Sequence, residues 1–226
     1  MTKKPETVNR ENMIKRKDGL YYKKYARVPF TGVYESFHEY GRLKEKGKTP
    51  YTYSNRQLES YQNYTNGHLK EKGIYKNGKP HGTFEWFKTN GQLKEKTNYK
   101  DGELHGLYEL FSADGQLKLR ENYKKGRPHG LYELFYLING QLRKRGNYKN
   151  GRQDGLWEIY YVNGQVRSKG HFKNGKFHGL VECYSDKGLL KEKGNHKNGE
   201  IHGIYEYFDE EGNLTKSETY KNGKKV

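Results

Sequence analysis

The sequence predicts an all-β protein, built as an elongated antiparallel meander of about eight stacked β-hairpin repeats in one twisted sheet. The first observation behind this prediction is a period. A His-Gly pair recurs every 24 residues, with one step of 25, from His81 to His202, and Asp154-Gly155 fills the one vacant place. The second is the recurrence of Asn-Gly, a dipeptide that favours two-residue hairpin turns. The third is that only 31% of the residues are hydrophobic, which is typical of thin sheets whose repeats pack mainly against their neighbours.

Each hairpin has a predicted register. Counting outward from a turn at Asn90-Gly91 pairs Phe84 with Thr97, Glu85 with Lys96, Trp86 with Glu95 and Phe87 with Lys94. One face of the hairpin is then mostly apolar and the other mostly charged, since directly opposed residues share a face. The same counting places a glutamate opposite a base in five copies, as Glu35–Lys46, Glu85–Lys96, Glu109–Arg120, Glu158–Lys169 and Glu182–Lys193. Such ion pairs fix register, and they argue against a paired-carboxylate active site.

Two parts of the chain are distinguished by their pattern. Residues 1–18 are polar and charged without a period, and we interpret them as a mobile tail or a loosely packed lead-in to a repeat domain of residues 19–226. The first copy is expected to turn at Tyr40-Gly41, and the second, degenerate copy at Asn66-Gly67. The 25-residue step predicts a bulge within residues 134–139, and the chain is expected to end in a lysine-bearing edge strand.

The charge of the chain favours anionic partners. A formal net charge of +17 and a pI near 9.6 attract nucleic acid, an acidic protein or an anionic membrane. The first twenty residues contain no apolar run typical of a signal peptide, and no segment approaches the length of a membrane span. The single cysteine, Cys183, excludes an internal disulfide. We therefore expect a cytoplasmic protein.

The residues that could support catalysis or bind a metal have structural interpretations. The hairpins space the repeated histidines roughly 10 Å apart, too far to share one ion, so we expect each imidazole to hydrogen-bond to the backbone. Gly73, Gly146, Gly170 and Gly194 occupy a strand position that faces an aromatic ring, and Cys183 is interpreted as core packing. Because no catalytic set, phosphate loop or metal motif occurs, the sequence predicts neither an enzyme nor a bound cofactor or metal.

The charged face of the predicted sheet is the candidate binding surface. Aromatic residues there alternate with bases, a pattern that can stack nucleobases and hold phosphates, form a protein interface, or remain a solvated face with stacked rings. The candidate partner-binding residues are Phe37, Lys44, Phe87, Lys94, Phe111, Lys118, Tyr160, Arg167, Tyr184, Lys191 and Phe208.

The repeat itself resembles a known family. The unit GxYExF followed by NGQLKEKGNYKNGKxHG, together with a lead-in at residues 18–22 and Pro29-Phe30-Thr31-Gly32-Val33, resembles bacterial MORN-variant repeats, particularly the YwqK-like antitoxin family. The resemblance implies a non-enzymatic immunity protein that binds and neutralises a cognate bacterial toxin. At a charge of +17, that toxin is expected to present an acidic surface. The alternative is a basic scaffold that binds nucleic acid or an anionic membrane through the lysine and aromatic rows.

Overall fold

The structure, a computed structural model, describes residues 7–9, 12–24, 26, 28, 30–39 and 65–226. These residues form nineteen β-strands and no α-helix. The chain divides into two compact units, Met1–Glu103 and Leu104–Val226, called here the first and second units. Within each unit, sequential strands pair antiparallel through hairpins, so the predicted all-β meander of hairpin repeats is confirmed.

The first unit contains a four-stranded meander with additional strands from the lead-in. Its strands are β1 (Thr7–Asn9), β2 (Met13–Lys15), β3 (Tyr21–Lys23), β4 (Gly32–Glu39), β5 (Thr65–Lys76), β6 (Lys79–Phe87) and β7 (Leu93–Lys100). Strands β4 to β7 pair in order, β1 adds to β4 in parallel, and β2 and β3 form a separate hairpin. Val8 in β1 is buried. Within the segment of residues 1–18, β1 and β2 are thus paired strands.

The second unit is a longer meander of the same kind. Its strands are β8 (Glu103–Phe111, which begins one residue before the unit), β9 (Leu117–Lys124), β10 (Arg127–Phe135), β11 (Leu142–Lys149), β12 (Arg152–Gln153), β13 (Gly155–Tyr160), β14 (Val166–Lys173), β15 (Lys176–Tyr184), β16 (Leu190–Lys197), β17 (Glu200–Phe208), β18 (Leu214–Lys221) and β19 (Lys224–Lys225). Strands β12 and β13 both pair with β11, β13 also pairs with β14, and the other strands each pair with the next. The final strand β19 consists of two lysines, in agreement with the lysine-bearing strand that the sequence predicts.

Two kinds of turn alternate along the meander. At the tight turns, both central residues have the positive φ that a two-residue hairpin turn needs, as at Asn77 (50°) and Gly78 (71°). The other turns are wider loops, and in the loop of residues 88–92 Gly91 has positive φ while Asn90 does not. The predicted two-residue turn at Asn90-Gly91 is therefore wrong. Gly91 instead donates its N–H to the carbonyl of Lys88 at 2.9 Å.

The wide loop also changes the register beside it. Phe84, Glu85 and Trp86 lie opposite the residues predicted for them, but a register shift places Phe87 opposite Leu93 instead of Lys94. The same shift precedes the wide loop in every described hairpin. The bulge predicted within residues 134–139 is therefore present, but it is common to all these copies and is not caused by the extra residue. The extra residue there lengthens the loop, since Gly140 donates its N–H to Tyr136, four residues earlier.

The first two copies differ most from the prediction. Strand β4 pairs with β5, so Glu35 lies opposite Lys72 and the predicted pair Glu35–Lys46 is wrong. Asn66-Gly67 lies inside β5 and is not a turn. The predicted turn at Tyr40-Gly41 and its return strand at residues 43–47 lie outside the described residues.

The apolar face, called here the aromatic face, is built from rings that cover glycines. A Cβ added at Gly73 would lie 2.3 Å from the ring of Phe84, and one at Gly146 would lie 2.1 Å from Trp157. The predicted ring over glycine is thus confirmed at these positions, and also at Gly194 beneath Tyr205. At Gly170 an added Cβ would lie 3.0 Å from Val181 and 3.1 Å from the ring of Phe177, so a valine and a ring cover this glycine together.

Candidate functional site

One row of side chains on the charged face of the second unit alternates in charge from strand to strand. We call it the charge ladder, and in the strand register it runs Glu109, Arg120, Glu133, Arg145, Glu158, Lys169, Glu182, Lys193, Glu206. Its contacts include Arg145 Nη2 to Glu158 Oε2 at 2.7 Å and Lys193 Nζ to Glu206 Oε2 at 2.9 Å. Opposite charges on directly opposed residues stabilise a sheet. The ladder therefore neutralises most of its own charge.

Four of the five predicted glutamate–base pairs are confirmed in the register, at Glu85, Glu109, Glu158 and Glu182. At two of these glutamates, the close ion pair is formed with the base on the side opposite to the predicted one. Glu158 binds Arg145 of the preceding return strand, and Glu182 Oε2 lies 3.0 Å from Lys169 Nζ, also on the preceding return strand. Each glutamate lies between two bases, so the register alone does not decide which one it binds.

Hydrogen bonding within the ladder shifts the pKa values of its groups. Burial raises the pKa of Glu158, but hydrogen bonds from Arg145 and from the Tyr160 hydroxyl at 2.8 Å outweigh it, and the carboxyl has a pKa below its ordinary value. Burial and the hydrogen bond to Glu158 raise the pKa of Tyr160 to about 12. Both groups therefore keep their neutral-pH charge states through the physiological range.

The structure places the predicted partner-binding residues as follows. Phe37 lies in β4 opposite Leu69, and Lys44 lies outside the described residues. The remaining rings are half-buried, and the remaining bases are exposed where the register shifts: Phe87, Phe111, Tyr160, Tyr184 and Phe208, and Lys94, Lys118, Arg167 and Lys191. Two of these rings contact ladder lysines, with Lys169 Nζ 5.4 Å from the Tyr184 centroid and Lys193 Nζ 5.5 Å from that of Phe208.

The tight turns of the second unit carry a second set of charges, which the sequence reasoning missed. We define the basic turn edge as the exposed bases that flank these turns: Lys124, Lys125, Arg127, Lys149, Arg152, Lys173, Lys176, Lys197, Lys221 and Lys224. Glu200 is the one acidic residue among them. The wide loops at the other ends of the strands hold five acidic residues and a single base, Lys187. The positive charge of this unit is thus concentrated at the tight turns.

Like charges face each other across most of these turns. Lys149 lies directly opposite Arg152, and Lys173 opposite Lys176. The same relation holds for Lys124 with Arg127 and for Lys221 with Lys224. Like charges directly opposed in a sheet destabilise it. The signal was present in the sequence as a recurring Lys-x-Gly followed by Lys or Arg. A search of strand faces for alternating residues does not detect turn residues.

Backbone hydrogen bonds hold successive tight turns in a row. The N–H of Gly151 donates to the carbonyl of Pro128 at 2.8 Å, and that of Gly175 to Gln153 at 2.8 Å, and so each turn is tied to the preceding repeat. A Cβ at Gly199 would lie 3.7 Å from the Cβ of Lys176, which shows how closely the turns pack. Equivalent bases therefore recur about every 10 Å, the width of two strands. The edge is a preorganised row of cations that could contact an extended anionic surface.

The histidines and the cysteine have structural environments. The predicted backbone contact is present at His81 and His129, whose Nδ1 atoms accept from the N–H groups of Asp101 and Asn150 at 3.4 Å. It is absent at His178 and His202, whose buried Nδ1 atoms have no hydrogen-bond partner. Among the described residues, no group of three or more His, Cys, Asp and Glu side chains is placed to hold a metal ion. Burial raises the pKa of the Cys183 thiol to about 11, which disfavours the reactive thiolate.

No helix within the described ranges has the length and apolar character needed to cross a bilayer.

The fold and the basic turn edge define a class: a β-hairpin repeat protein with a continuous charged surface. Five segments match the family model described as MORN repeat variant, at residues 56–77, 80–101, 104–125, 153–174 and 201–222. These matches support the assignment of the chain as a MORN-variant repeat protein, which suggests a binding role. Residues 128–149 and 177–198 lie between matched segments and form the same pair of strands.

Other comparisons are weaker. No curated protein matches the sequence. Among solved structures, a mutant of S. aureus TarM in complex with fondaparinux, α-GlcNAc-glycerol and UDP is 10% identical with a TM-score of 0.29, and covers 43% of this chain and 19% of its own. A second TarM structure is 12% identical with a TM-score of 0.27, with coverage of 42% and 20%. A GtfA/B complex bound to UDP and GlcNAc is 18% identical with a TM-score of 0.22, with coverage of 49% and 22%. The matched region thus spans about a fifth of these chains.

Proposed function

We propose that this protein is a non-enzymatic binding scaffold that holds an acidic surface of a partner protein along the basic turn edge. The observation that carries the proposal is the recurrence of like-charged pairs across the tight turns, as at Lys149 and Arg152. Such pairs lower stability, and sequences depart from local stability rules mainly where function requires it. The ladder glutamates bind bases, which supports a structural role for them instead of acid–base catalysis.

A cognate toxin is the partner that the repeat pattern favours. The resemblance of the unit to the YwqK-like antitoxin family supports an immunity protein, and the single cysteine is consistent with a reducing compartment such as the cytoplasm. An acidic patch on the toxin would complement the edge and accelerate association. Affinity beyond the electrostatic contribution would come from apolar contacts at the centre of the interface.

The second candidate is binding of nucleic acid or an anionic membrane. The regular spacing of bases along the edge favours it, because a polyanion presents phosphates along its whole length. The two candidates differ in their dependence on salt. Binding dominated by phosphate contacts weakens steeply as salt rises, whereas a protein interface with an apolar centre retains much of its affinity.

The experiment compares the tagged wild-type protein with two matched charge-reversal variants. The edge variant carries Lys149→Glu, Arg152→Glu, Lys173→Glu and Lys176→Glu. The control variant carries Lys118→Glu, Arg143→Glu, Arg167→Glu and Lys191→Glu, four exposed bases on the return strands near the wide loops. Both variants change the net charge equally, so a general electrostatic effect would lower binding in both.

Partners are captured from lysate of the native organism at low and at high salt and identified by mass spectrometry. We expect one stoichiometric protein that survives high salt, is lost from the edge variant and is retained by the control variant. Recovery of nucleic acid or lipid alone, lost at high salt, would favour the second candidate. Loss of the partner from the control variant only would move the interface to the residues first predicted from the sequence.

A further inference from the structure

The aromatic face of the first unit contains an open cleft with a carboxylate in its wall. The cleft has a volume of about 450 Å³, and its lining includes Tyr21, Tyr75, Phe84, Trp86, Tyr99 and Glu71. Tyr21 comes from the β2–β3 hairpin, and the other five residues come from three consecutive strands of the meander. The lining therefore consists mainly of electron-rich rings held on a sheet.

The rings form one packed group. Phe84 lies 5.4 Å from Tyr75, 5.1 Å from Tyr99 and 6.0 Å from Trp86, measured between ring centroids. Tyr21 extends the group, at 5.0 Å from Tyr75. Phe84 is only 3% exposed, so it supports the other rings from below. A cation already lies near the outer part of this group, because Lys15 Nζ is 5.8 Å from the Tyr21 ring.

The carboxylate is fixed against the largest ring. Glu71 is 7% exposed, and its Oε2 atom accepts a hydrogen bond from the indole Nε1–H of Trp86 at 3.0 Å. In the strand register, Trp86 lies between Glu71 on one side and Glu95 on the other. Two acidic side chains thus flank one indole on the aromatic face of a chain whose net charge is +17.

We propose that this cleft binds an alkylammonium cation, with the methyl or methylene groups against the rings and the positive charge near Glu71. Rings attract a cation through their negative faces, and most strongly where water is excluded. A carboxylate that is largely removed from water is stabilised by a cation that approaches it. Methylated ammonium groups suit the cleft better than bare ammonium ions, because they lose less hydration and present apolar surface to the rings. The site uses residues different from those of the basic turn edge, and it does not depend on the proposed function.

Choline is the first probe, and 3,3-dimethylbutan-1-ol is its neutral control, since the two molecules have nearly the same shape and differ in charge. We expect saturable choline binding, followed by NMR of the Trp86 indole N–H, and binding of the neutral analogue about tenfold weaker or worse. Equal binding of the two compounds, or no saturable shift with choline, would overturn the proposal.

Two substitutions locate the cation. Glu71→Gln keeps the size and an acceptor for the indole N–H, and we expect it to weaken choline binding about tenfold while leaving that of the neutral analogue unchanged. Glu210→Gln, at an exposed position in a wide loop of the second unit, is the matched control and should bind choline as the wild type does. If Glu71→Gln lowers stability, Trp86→Phe gives an independent test, because it retains a ring and the carboxylate but weakens the cation–π contact. Unchanged choline binding in both folded variants would refute the site.

The chemistry does not distinguish a free cation from one carried by a larger molecule. Phosphatidylcholine vesicles, a peptide with trimethyllysine and free choline are therefore compared by competition, with phosphatidylglycerol vesicles and the unmethylated peptide as controls. Displacement of choline by a methylated form alone supports the proposal and identifies the source. Equal displacement by the controls contradicts it.

Discussion

The charge ladder and the basic turn edge arrange the same residue types in opposite ways. In the middle of the strands Glu133, Glu158 and Glu182 each face a base on both sides, as Glu158 faces Arg145 and Lys169. At the tight turns, only a few residues away along the same strands, bases face bases, as Lys149 faces Arg152. One arrangement stabilises the sheet and the other opposes it.

The difference separates charges that serve the fold from charges that serve a partner. Ladder charges are partly buried and paired, so little of their field reaches an approaching molecule; the side chain of Glu158, for example, is 17% exposed. Turn-edge charges are exposed and of one sign, so their fields add. A count of the net charge cannot make this distinction, because it assigns the same weight to both sets.

The largest effect is expected from reversing one charge in the ladder. Glu158→Lys removes the two hydrogen bonds from Arg145, at 2.7 and 3.2 Å, and the one from Tyr160. It also places a lysine between two bases. We expect a loss of about 2 kcal/mol in the free energy of unfolding. Urea denaturation followed by circular dichroism measures it, with Glu210→Lys in a wide loop as the control of equal charge change. Equal midpoints for the two variants would show that the ladder contributes little.

The pH dependence of stability distinguishes a ladder glutamate, Glu158, from a glutamate on the aromatic face, Glu121. The pKa of Glu158 is lowered in the folded protein, so its contribution to stability is present above the unfolded pKa and is lost as pH falls through the folded value. The pKa of Glu121 is raised, because burial outweighs the hydrogen bond from Tyr123, so ionised Glu121 destabilises the fold at neutral pH.

The two glutamine variants should therefore differ in sign. Glu158→Gln is expected to lower stability at pH 7, with a smaller loss on acidification than in the wild type. Glu121→Gln is expected to raise stability at pH 7, and this gain should disappear as pH falls through the raised pKa of Glu121. Free energies of unfolding between pH 7 and pH 3 measure both effects. A shift of the same sign in both variants would contradict the assignment of the two environments.

The ladder also shows how far the sequence determines this structure. The pairs of Glu85 with Lys96 and of Glu109 with Arg120 were predictable, because the five-residue loop together with its register shift gives the same pairing as counting from a two-residue turn. The wide loops were not, because Asn90-Gly91 allows a two-residue turn and the five-residue loop is chosen by the register shift beside it. The position of Asn66-Gly67 inside β5 depends on pairing with a strand some thirty residues earlier, which no local signal specifies.

The candidate site was less predictable than the fold. Alternation along the strands identifies the two faces of the sheet, and it predicted Phe208 and Lys191 as binding residues. In the structure, the ladder residue Lys193 already contacts the Phe208 ring. The basic turn edge depends on the stacking of turns from different repeats, as at Gly199, where an added Cβ would lie 3.7 Å from the Cβ of Lys176. A period-24 alignment of the turn residues would have revealed the bases, but not that they pack in a row.

A smaller effect is expected at the turn edge, and its sign is reversed. Lys149→Glu replaces a like-charged pair with an opposite-charged pair across the turn to Arg152. We expect the variant to gain a few tenths of a kcal/mol at low salt while losing affinity for the partner. In 1 M NaCl the gain should vanish, since the screening length is then only about 3 Å. A loss of stability at low salt would refute the repulsion on which the proposed function rests.

The smallest effect tests the exception among these turns. Lys197 faces Glu200, so this turn already has the opposite-charged pair that the others lack. Glu200→Lys should lower stability at low salt by a few tenths of a kcal/mol, and Glu200→Gln by about half as much, because glutamine removes the attraction without adding repulsion. Glu200→Lys should also tighten binding of an acidic partner, since it completes the row of cations beside Gly223. A variant that loses stability and gains affinity would show that one charge serves the fold and the partner in opposite ways, whereas unchanged affinity would place the interface away from this turn.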